Sequence, residues 1–471
     1  MYYAFHNVCG GNMKKLSRNI LMFLIFLNGY VSLSLELSVL RQLSFYVGSS
    51  AVITSIIMAI FLGFMSFGYF VGESKKISDS KIRKILSISF LFIAALSVAA
   101  ASFPFVTSYF SLMYVNGINS GALQTFLYSI IFLSAGPFLF GLNTTLLSRQ
   151  LRAYNKNCTG SIMAWDTIGS VFGSIVTTLI LMPFIGVNYT VVLITLLSVV
   201  GALILRRNWG MYVICICVLL LSIAINCNLY QRTQYGIIVN NANSTISVSE
   251  YDDMRVLYMN GLPMSILRSD GSMAEYINYL NEGFIYNMPK DKKYKILVLG
   301  AGGFTLGAND TYNEYTFVDI EHTLKSVSEK YFLNKRLTDN KKFIVDDASQ
   351  FLKNTDERYD FILLDVYSNS YQVPESMITV EFMQRLKSCV APNGIIAMNM
   401  IVSPEFGDKY SKVFDNTFRS VFPRNTTRQV IGEFNPWHNV FGSSNVIYLY
   451  YNVENDGRVY TINKTPVIYD R

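Results

Sequence analysis

The chain is poor in charge, in histidine and in paired cysteines. Charged residues fill 15% of its 471 positions, against about 25% in soluble domains, which argues against an all-soluble protein. Its three histidines, His6, His322 and His438, lie far apart, so no zinc-ligand spacing exists and no metal is expected. The six cysteines include no Cys-x-x-Cys pair, and Cys215, Cys217 and Cys227 fall in an apolar run; a disulfide scaffold is excluded. Disordered chains combine low hydrophobicity with high charge. Here hydrophobic residues reach 51% and mean hydropathy is +0.31, so disorder is excluded too. No tandem repeat or low-complexity linker is visible. What is abundant is aromatic, at 14%, enough for any soluble part to bury a large core. The net charge of +7 comes from basic residues beside apolar runs, as membrane orientation requires, so nucleic acid is not an expected partner.

A spanning helix needs about 20 mostly apolar residues. Seven runs fit, at about 19–40, 51–72, 85–106, 122–147, 166–184, 187–205 and 210–228. The fifth and sixth form a tight hairpin around Pro183-Phe184-Ile185-Gly186, and Trp165 and Trp209 sit at span edges. After about residue 230, charges become regular and strand and helix patterns alternate. The expected organisation is an N-terminal tail (1–18), a membrane domain of about seven transmembrane helices (19–229), a small β-rich module (230–290) and a nucleotide-binding domain (291–471). Met13-Lys14-Lys15 before an apolar run looks a more natural start than Met1.

Basic residues alternate between loops. Lys14, Lys15 and Arg18 precede the first span. Lys75, Lys76, Lys81, Arg83 and Lys84 follow the second, Arg149, Arg152 and Lys156 the fourth, and Arg206 and Arg207 the sixth. The loops near 107–121 and 185–187 carry none. The positive-inside rule then places the N-terminus in the cytoplasm, and seven spans place residues 230–471 outside. Within the spans, Glu36 costs about 2.5–3.5 kcal/mol at mid-bilayer. It marks either a polar site in the bundle or a span end neutralised by nearby Arg41. Asp166 reads as interfacial. Gly63, Gly68, Gly72, Gly169 and Gly173 read as close helix contacts.

The second half begins with short strands at Gly236–Val239, Ser244–Glu250 and Arg255–Met259, with an Asn260-Gly261 turn, and a helix at about 272–287. A buried strand, Lys295–Leu299, then runs into Gly300-Ala301-Gly302-Gly303. This is part of a dinucleotide-type glycine turn, with Thr305 where a third glycine would stand. Strand two, Tyr315–Val318, ends in Asp319, where an acid can bind ribose hydroxyls. Strand three, Phe343–Val345, is followed by Asp346-Asp347, where a carboxylate can accept from an adenine amino group. Strand four, Asp360–Leu364, ends in Asp365, and strand five is Ile395–Met398. Helices at about 322–333, 348–354 and 376–389 fill the gaps. Alternation implies a parallel sheet with ligands at the strands' carboxyl ends. Helix capping alone would also explain single strand-end aspartates.

These residues resemble a family. Residues about 235–450 resemble spermidine synthases, the polyamine aminopropyltransferases. Residues 20–205 resemble the membrane segment fused to some bacterial members, with phrases such as Leu35-Glu36, Gly48-Ser49-Ser50 and Ala164-Trp165-Asp166-Thr167-Ile168-Gly169-Ser170. The resemblance implies a multi-span helical membrane domain followed by an α/β domain with a Rossmann-like, methyltransferase-type, mostly parallel sheet and a small N-terminal β module. It implies that Gly300, Gly302, Asp319 and Asp347 hold decarboxylated S-adenosylmethionine or its thioether product; Asp346, beside Asp347 after strand three, is a further cofactor-binding candidate. It places Asp365, Tyr276 and Ser368 at the chemistry, and Tyr367, Glu375 and Trp437 around the amine. Trp437 belongs to Pro436-Trp437, which resembles a late loop that closes over the amine.

Two departures stand out. Synthases of this family carry an aspartate inside the glycine turn that holds the donor's amine, and here the turn has no acid. They also carry a second aspartate three residues beyond the one ending strand four, where this chain has Ser368, a poor base near neutral pH. Without the turn's acid, discrimination against the carboxylate of ordinary S-adenosylmethionine weakens. Three functions follow: an amine-alkylating transferase of the synthase type, a methyltransferase on the same fold, or a membrane transporter or sensor with a degenerate synthase domain. The expected partners are a small amine, the lipid bilayer and, through strand edges in 236–259, a second copy of the chain. Sulfonium nucleosides are made in the cytoplasm, which favours a cytoplasmic α/β domain, whereas the loop charges favour the other side.

Overall fold

The computed structural model describes residues 16–48, 50–74, 77–154, 158–367, 373–432 and 442–454. Contacts divide the chain into two compact units, Met1–Thr245 and Ile246–Arg471. The first contains helices α1 (Arg18–Val47), α2 (Ala51–Glu73), α3 (Asp79–Ala101), α4 (Phe103–Val115), α5 (Gly121–Tyr128), α6 (Ala135–Arg152), α7 (Thr159–Val176), α8 (Met182–Leu205), α9 (Trp209–Asn226) and α10 (Asn228–Tyr235), and a short strand β1 (Ile237–Asn240).

Among the described residues, five helices are long and apolar enough to cross a membrane: α1, α2, α3, α9 and the continuous run Thr159–Leu205. A sixth arises if Gly121–Leu133 and Ala135–Arg152, bent by 44°, count as one. The run Thr159–Leu205 has 47 residues, roughly 70 Å at 1.5 Å per residue, over twice the roughly 30 Å hydrocarbon core. Gly186 breaks it, with φ 85° and ψ 164°, a conformation open to glycine. Counted as two arms and with the bent pair as one, the helices cover the seven apolar runs. The third ends early, at Ala101, where Ser102 and Pro104 begin the separate α4.

Small residues close the helix contacts. A Cβ on Gly169 of α7 would lie 2.1 Å from the Phe26 carbonyl oxygen of α1, and one on Gly68 of α2 would lie 2.1 Å from the Phe138 carbonyl oxygen of α6. Gly72 and Gly173 are similarly crowded. Gly63 differs from expectation: among the described residues nothing lies within 4 Å of its Cβ position, so it makes no close helix contact there. Trp165 and Asp166 stand two turns into α7, and Asp166 accepts from the Thr144 hydroxyl at 3.4 Å. Glu36 is buried. Arg41 does not neutralise it; among the described residues its guanidinium donates to the Asn241 carbonyl at 2.7 Å, to Thr245 Oγ1 at 3.1 Å and to Ser44 Oγ at 3.2 Å.

In the second unit, β2 (Thr245–Glu250), β3 (Met254–Met259) and β4 (Leu262–Arg268) pair antiparallel in sequence order. Helix α11 (Glu275–Leu280) follows and ends in a π-turn, Asn281–Ile285. Then come β5 (Lys295–Leu299), β6 (Glu314–Asp319), α12 (Leu324–Val327), β7 (Lys341–Val345), α13 (Ala348–Asn354), β8 (Tyr359–Leu364), α14 (Val380–Ser388), β9 (Val390–Val402), α15 (Lys409–Val421), β10 (Thr426–Val430) and β11 (Ser444–Tyr451). They form a seven-stranded sheet in the order β7-β6-β5-β8-β9-β11-β10. The first five strands are parallel; β11 and β10 run antiparallel. The sheet is doubly wound and Rossmann-like, and its order reverses at β5, where the β5 and β8 ends create a crevice for a ligand. Apolar side chains of β5, β8 and β9, among them Leu297, Ile362 and Ile396, are buried beside Met383 of α14 and Phe418 of α15.

Candidate active site

The carboxyl end of β5 turns sharply. Gly300 has φ 91°, and a Cβ there would sit 2.1 Å from the Asp365 carbonyl oxygen, so only glycine lets the β5 turn touch the end of β8. At the end of β6, Asp319 accepts from the Ala301 amide at 2.9 Å and from the Glu321 amide at 3.0 Å. Burial pushes its carboxyl up, and these amides oppose the shift. Past β7, Asp346 accepts from the Asp347 amide at 2.8 Å. Asp347 caps α13, accepting from Ser349 and Gln350 at 2.9 and 3.0 Å; one carboxylate oxygen thus serves the helix.

Asp365 is the centre of the arrangement. Tyr276 Oη donates to one of its oxygens at 2.7 Å, and Asn399 Nδ2 donates to the other at 2.9 Å. Tyr367 Oη donates to the Asn399 carbonyl at 2.8 Å. Burial raises the Asp365 carboxyl above the usual carboxylate range, against the pull of both donors. Burial and the adjacent carboxylate push the Tyr276 phenol well up, so it stays a donor. These groups face a cavity of about 360 Å³ whose lining includes Met264, Ser265, Gly302 and Ile401. Asn399 Oδ1 is buried with no partner among the described residues. An amine entering the cavity meets the Asp365 carboxylate, held in place by Tyr276 and Asn399. A carboxylate of raised affinity for protons is also a better base for a departing ammonium proton than an exposed one.

The glycine turn is closely packed at Gly303. A Cβ on Gly303 would lie 2.4 Å from the Phe332 ring and 2.9 Å from Ser265 Cβ, and the Gly303 amide donates to Ser265 Oγ at 2.8 Å. Phe332 is fully buried.

The structure thus brings Gly302, Tyr276, Asp365 and Tyr367 to one cavity. Gly300, Asp319, Asp346 and Asp347 lie along the same sheet edge but do not line it. Glu375 is exposed at the start of a 3₁₀ turn, Glu375–Met377, and is not among the residues lining this cavity. Ser368 and Trp437 lie outside the described residues. Among the described residues no group of His, Cys, Asp and Glu forms a metal cluster. A larger groove, about 760 Å³ and lined by Lys295, Glu314 and Lys342, lies at the amino ends of β5, β6 and β7, opposite the edge where ligands of such sheets bind. The sequence reading missed Asn399. Its signal was present: it is the residue directly after Ile395–Met398, the same strand-end position that singled out Asp319 and Asp365.

Residues 284–434 match the spermine/spermidine synthase domain. The likeness to spermidine synthases read from the sequence is borne out. The chain is 24% identical to polyamine aminopropyltransferase 2 of Aquifex aeolicus, over 79% of this chain and 77% of that protein. That span exceeds the second unit alone, so the relative shares much of the helical unit as well as the synthase-like domain. The polyamine aminopropyltransferase of Vibrio vulnificus is 28% identical over 31% of this chain, and the chain covers about half of it, 48%. Among solved structures, a probable spermidine synthase from Corynebacterium glutamicum aligns with TM-score 0.38 at 21% identity, over 47% of this chain and 80% of that one.

Proposed function

We propose that the chain is a membrane-bound transferase that alkylates an amine with a sulfonium nucleoside, in the manner of the polyamine aminopropyltransferases. The observation that carries this is Asp365, clamped between Tyr276 and Asn399 in a cavity that opens onto the glycine turn. Gly300, Gly302 and Asp319 fit the nucleoside of decarboxylated S-adenosylmethionine: a close backbone approach and an acid for ribose. The membrane reading rests on the long apolar helices.

A sulfonium donor is already a strong electrophile, so orientation is the main task left to the protein. Tyr276 and Asn399 fix the Asp365 carboxylate. Asp365 holds the amine with its lone pair toward the carbon attached to sulfur. The N–C bond forms as the C–S bond breaks, the electron pair goes to sulfur, and a neutral thioether leaves. Asp365 takes the proton from nitrogen, the role that Ser368 is unsuited to fill.

The test is thioether release by the purified full chain, given decarboxylated S-adenosylmethionine and putrescine. Release that disappears in Asp365→Asn supports the reading. Absence of release with a panel of amines, from protein that binds neither form of the donor, ends it. A second reading, methyl transfer from ordinary S-adenosylmethionine, is favoured by the filled space at Gly303, which leaves the donor's tail without its acid. Faster turnover with the ordinary donor would select it.

A further inference from the structure

The helical unit has two chemically different ends. At one, Arg149 of α6 donates to the Ser74 and Ile77 carbonyls at 3.3 and 2.8 Å and pairs with Asp79 at 2.7 Å. That fixes the end of α6 to the α2–α3 turn. Tyr154 Oη donates to the Leu16 carbonyl at 2.5 Å, beside the start of α1. Ser87, early in α3, donates to the Ala202 carbonyl at 2.9 Å, near the end of α8. These contacts gather Arg18, Lys81, Arg83, Lys84, Arg149, Arg152, Arg206 and Arg207 at one end of the bundle.

The other end is tied together without them. Gln42 of α1 donates to the Ala101 carbonyl at 3.0 Å, closing α1 on the end of α3. Asn226 at the end of α9 donates to Ser102 Oγ at 2.8 Å, and Tyr46 to Thr107 Oγ1 at 2.7 Å. The segment that leaves the last helix is built into this end. Asn240 donates to Gln42 Oε1 at 3.3 Å and to Asn188 Oδ1 at 3.0 Å, and Arg41 holds Asn241 and Thr245. The turns at 116–120 and 183–187 contain no basic residue. Thr245 therefore leaves the bundle at the end that is poor in Lys and Arg.

Loops rich in Lys and Arg remain on the cytoplasmic side of a membrane. We infer that the basic end faces the cytoplasm and that the chain beyond Thr245, with its Asp365 cavity, lies on the opposite side. The amine that enters this cavity is then drawn from outside the cytoplasm, and any sulfonium nucleoside used there has to be delivered across the membrane. The inference does not depend on group transfer; a site that only bound an amine would face the same way.

Single cysteines in the full-length chain, its own cysteines replaced by serine, test this in right-side-out membrane vesicles with a membrane-impermeant maleimide. Ser80, Asn116 and Lys335 are exposed and mark the basic end, the basic-poor end and the α/β unit. Asn116→Cys and Lys335→Cys should react in intact vesicles, and Ser80→Cys only after detergent. Protection of Lys335→Cys until detergent is added overturns the inference, whatever the other two do. A protease applied to the same vesicles, with the unaltered chain tagged at its C-terminus, gives a check free of substitutions. Loss of the tag agrees with the inference, and its survival refutes it.

Discussion

A polar network in each unit does different work. In the helical unit, Gln42, Asn188, Asn240 and Arg41 satisfy one another and the backbone, and their work is to hold helix ends and the exiting chain in place. In the α/β unit, the strand-end residues are only partly spent. Asn399 Oδ1 keeps an unused acceptor beside the Asp365 carboxylate. Buried acceptors without a partner among the described residues occur in the helical unit too, at Asn143 Oδ1 and Asn226 Oδ1, so what sets Asn399 apart is its place in the lining of the Asp365 cavity. The contrast is between a polar network that ties helix ends together and one that borders a cavity.

The sharpest way to test that contrast is Asp365→Asn. It keeps the shape of the cavity and removes the proton acceptor, and thioether release should fall about 10²–10⁴-fold with unchanged circular dichroism. An equal loss in Asn240→Ala, with the bundle intact, would break the division. Tyr276→Phe deletes one bond to a charged group, about 1.5–3 kcal/mol, which should appear as a lower kcat in the same assay. Next comes overpacking. Gly303→Asp, which puts an acid into the turn, should destabilise by about 1–3 kcal/mol through contact with Phe332 without raising activity; thermal melting and thioether release report the two halves. Gly169→Val should lower the melting temperature of the bundle comparably, whereas Gly63→Val, facing open space, should change it within about 0.5 kcal/mol.

The smallest effect is in pH. Burial raises the folded-state pKa of Asp365 above the roughly 3.9 of an unfolded aspartate. Its protonated form therefore favours the folded state. That contribution is complete below the unfolded value and is lost as pH rises through the folded one. Urea titrations of the wild type should show stability declining across that acidic window, and Asp365→Asn should flatten the decline.

The parts of the site that were legible in the sequence are those whose signal is local. A central parallel strand is buried on both faces, so Lys295–Leu299 reads as an apolar run, and the next residue falls at the binding edge. By that rule Gly300, Asp319 and Asp365 were identifiable before any coordinates. β10 was not. Thr426–Val430 is an edge strand of mostly polar residues, and only its antiparallel pairing with β11 makes it part of the sheet. Glu36 and Arg41 looked close in sequence, but five positions on a helix place them about 140° apart, unlike the i,i+4 pairs that meet. Arg41 accordingly found Asn241, 200 positions away. The filling of the space at Gly303 by Phe332 is likewise a tertiary fact, invisible in the glycine turn itself.

That filled space limits the routes by which this sequence could change. An aspartate introduced at Gly303 alone meets a buried aromatic ring, and a smaller residue at Phe332 alone opens a hole in a packed interior. Each single step toward the acid-bearing turn passes through a less stable protein, and only a coordinated change of Gly303, Phe332 and Ser265 avoids the barrier.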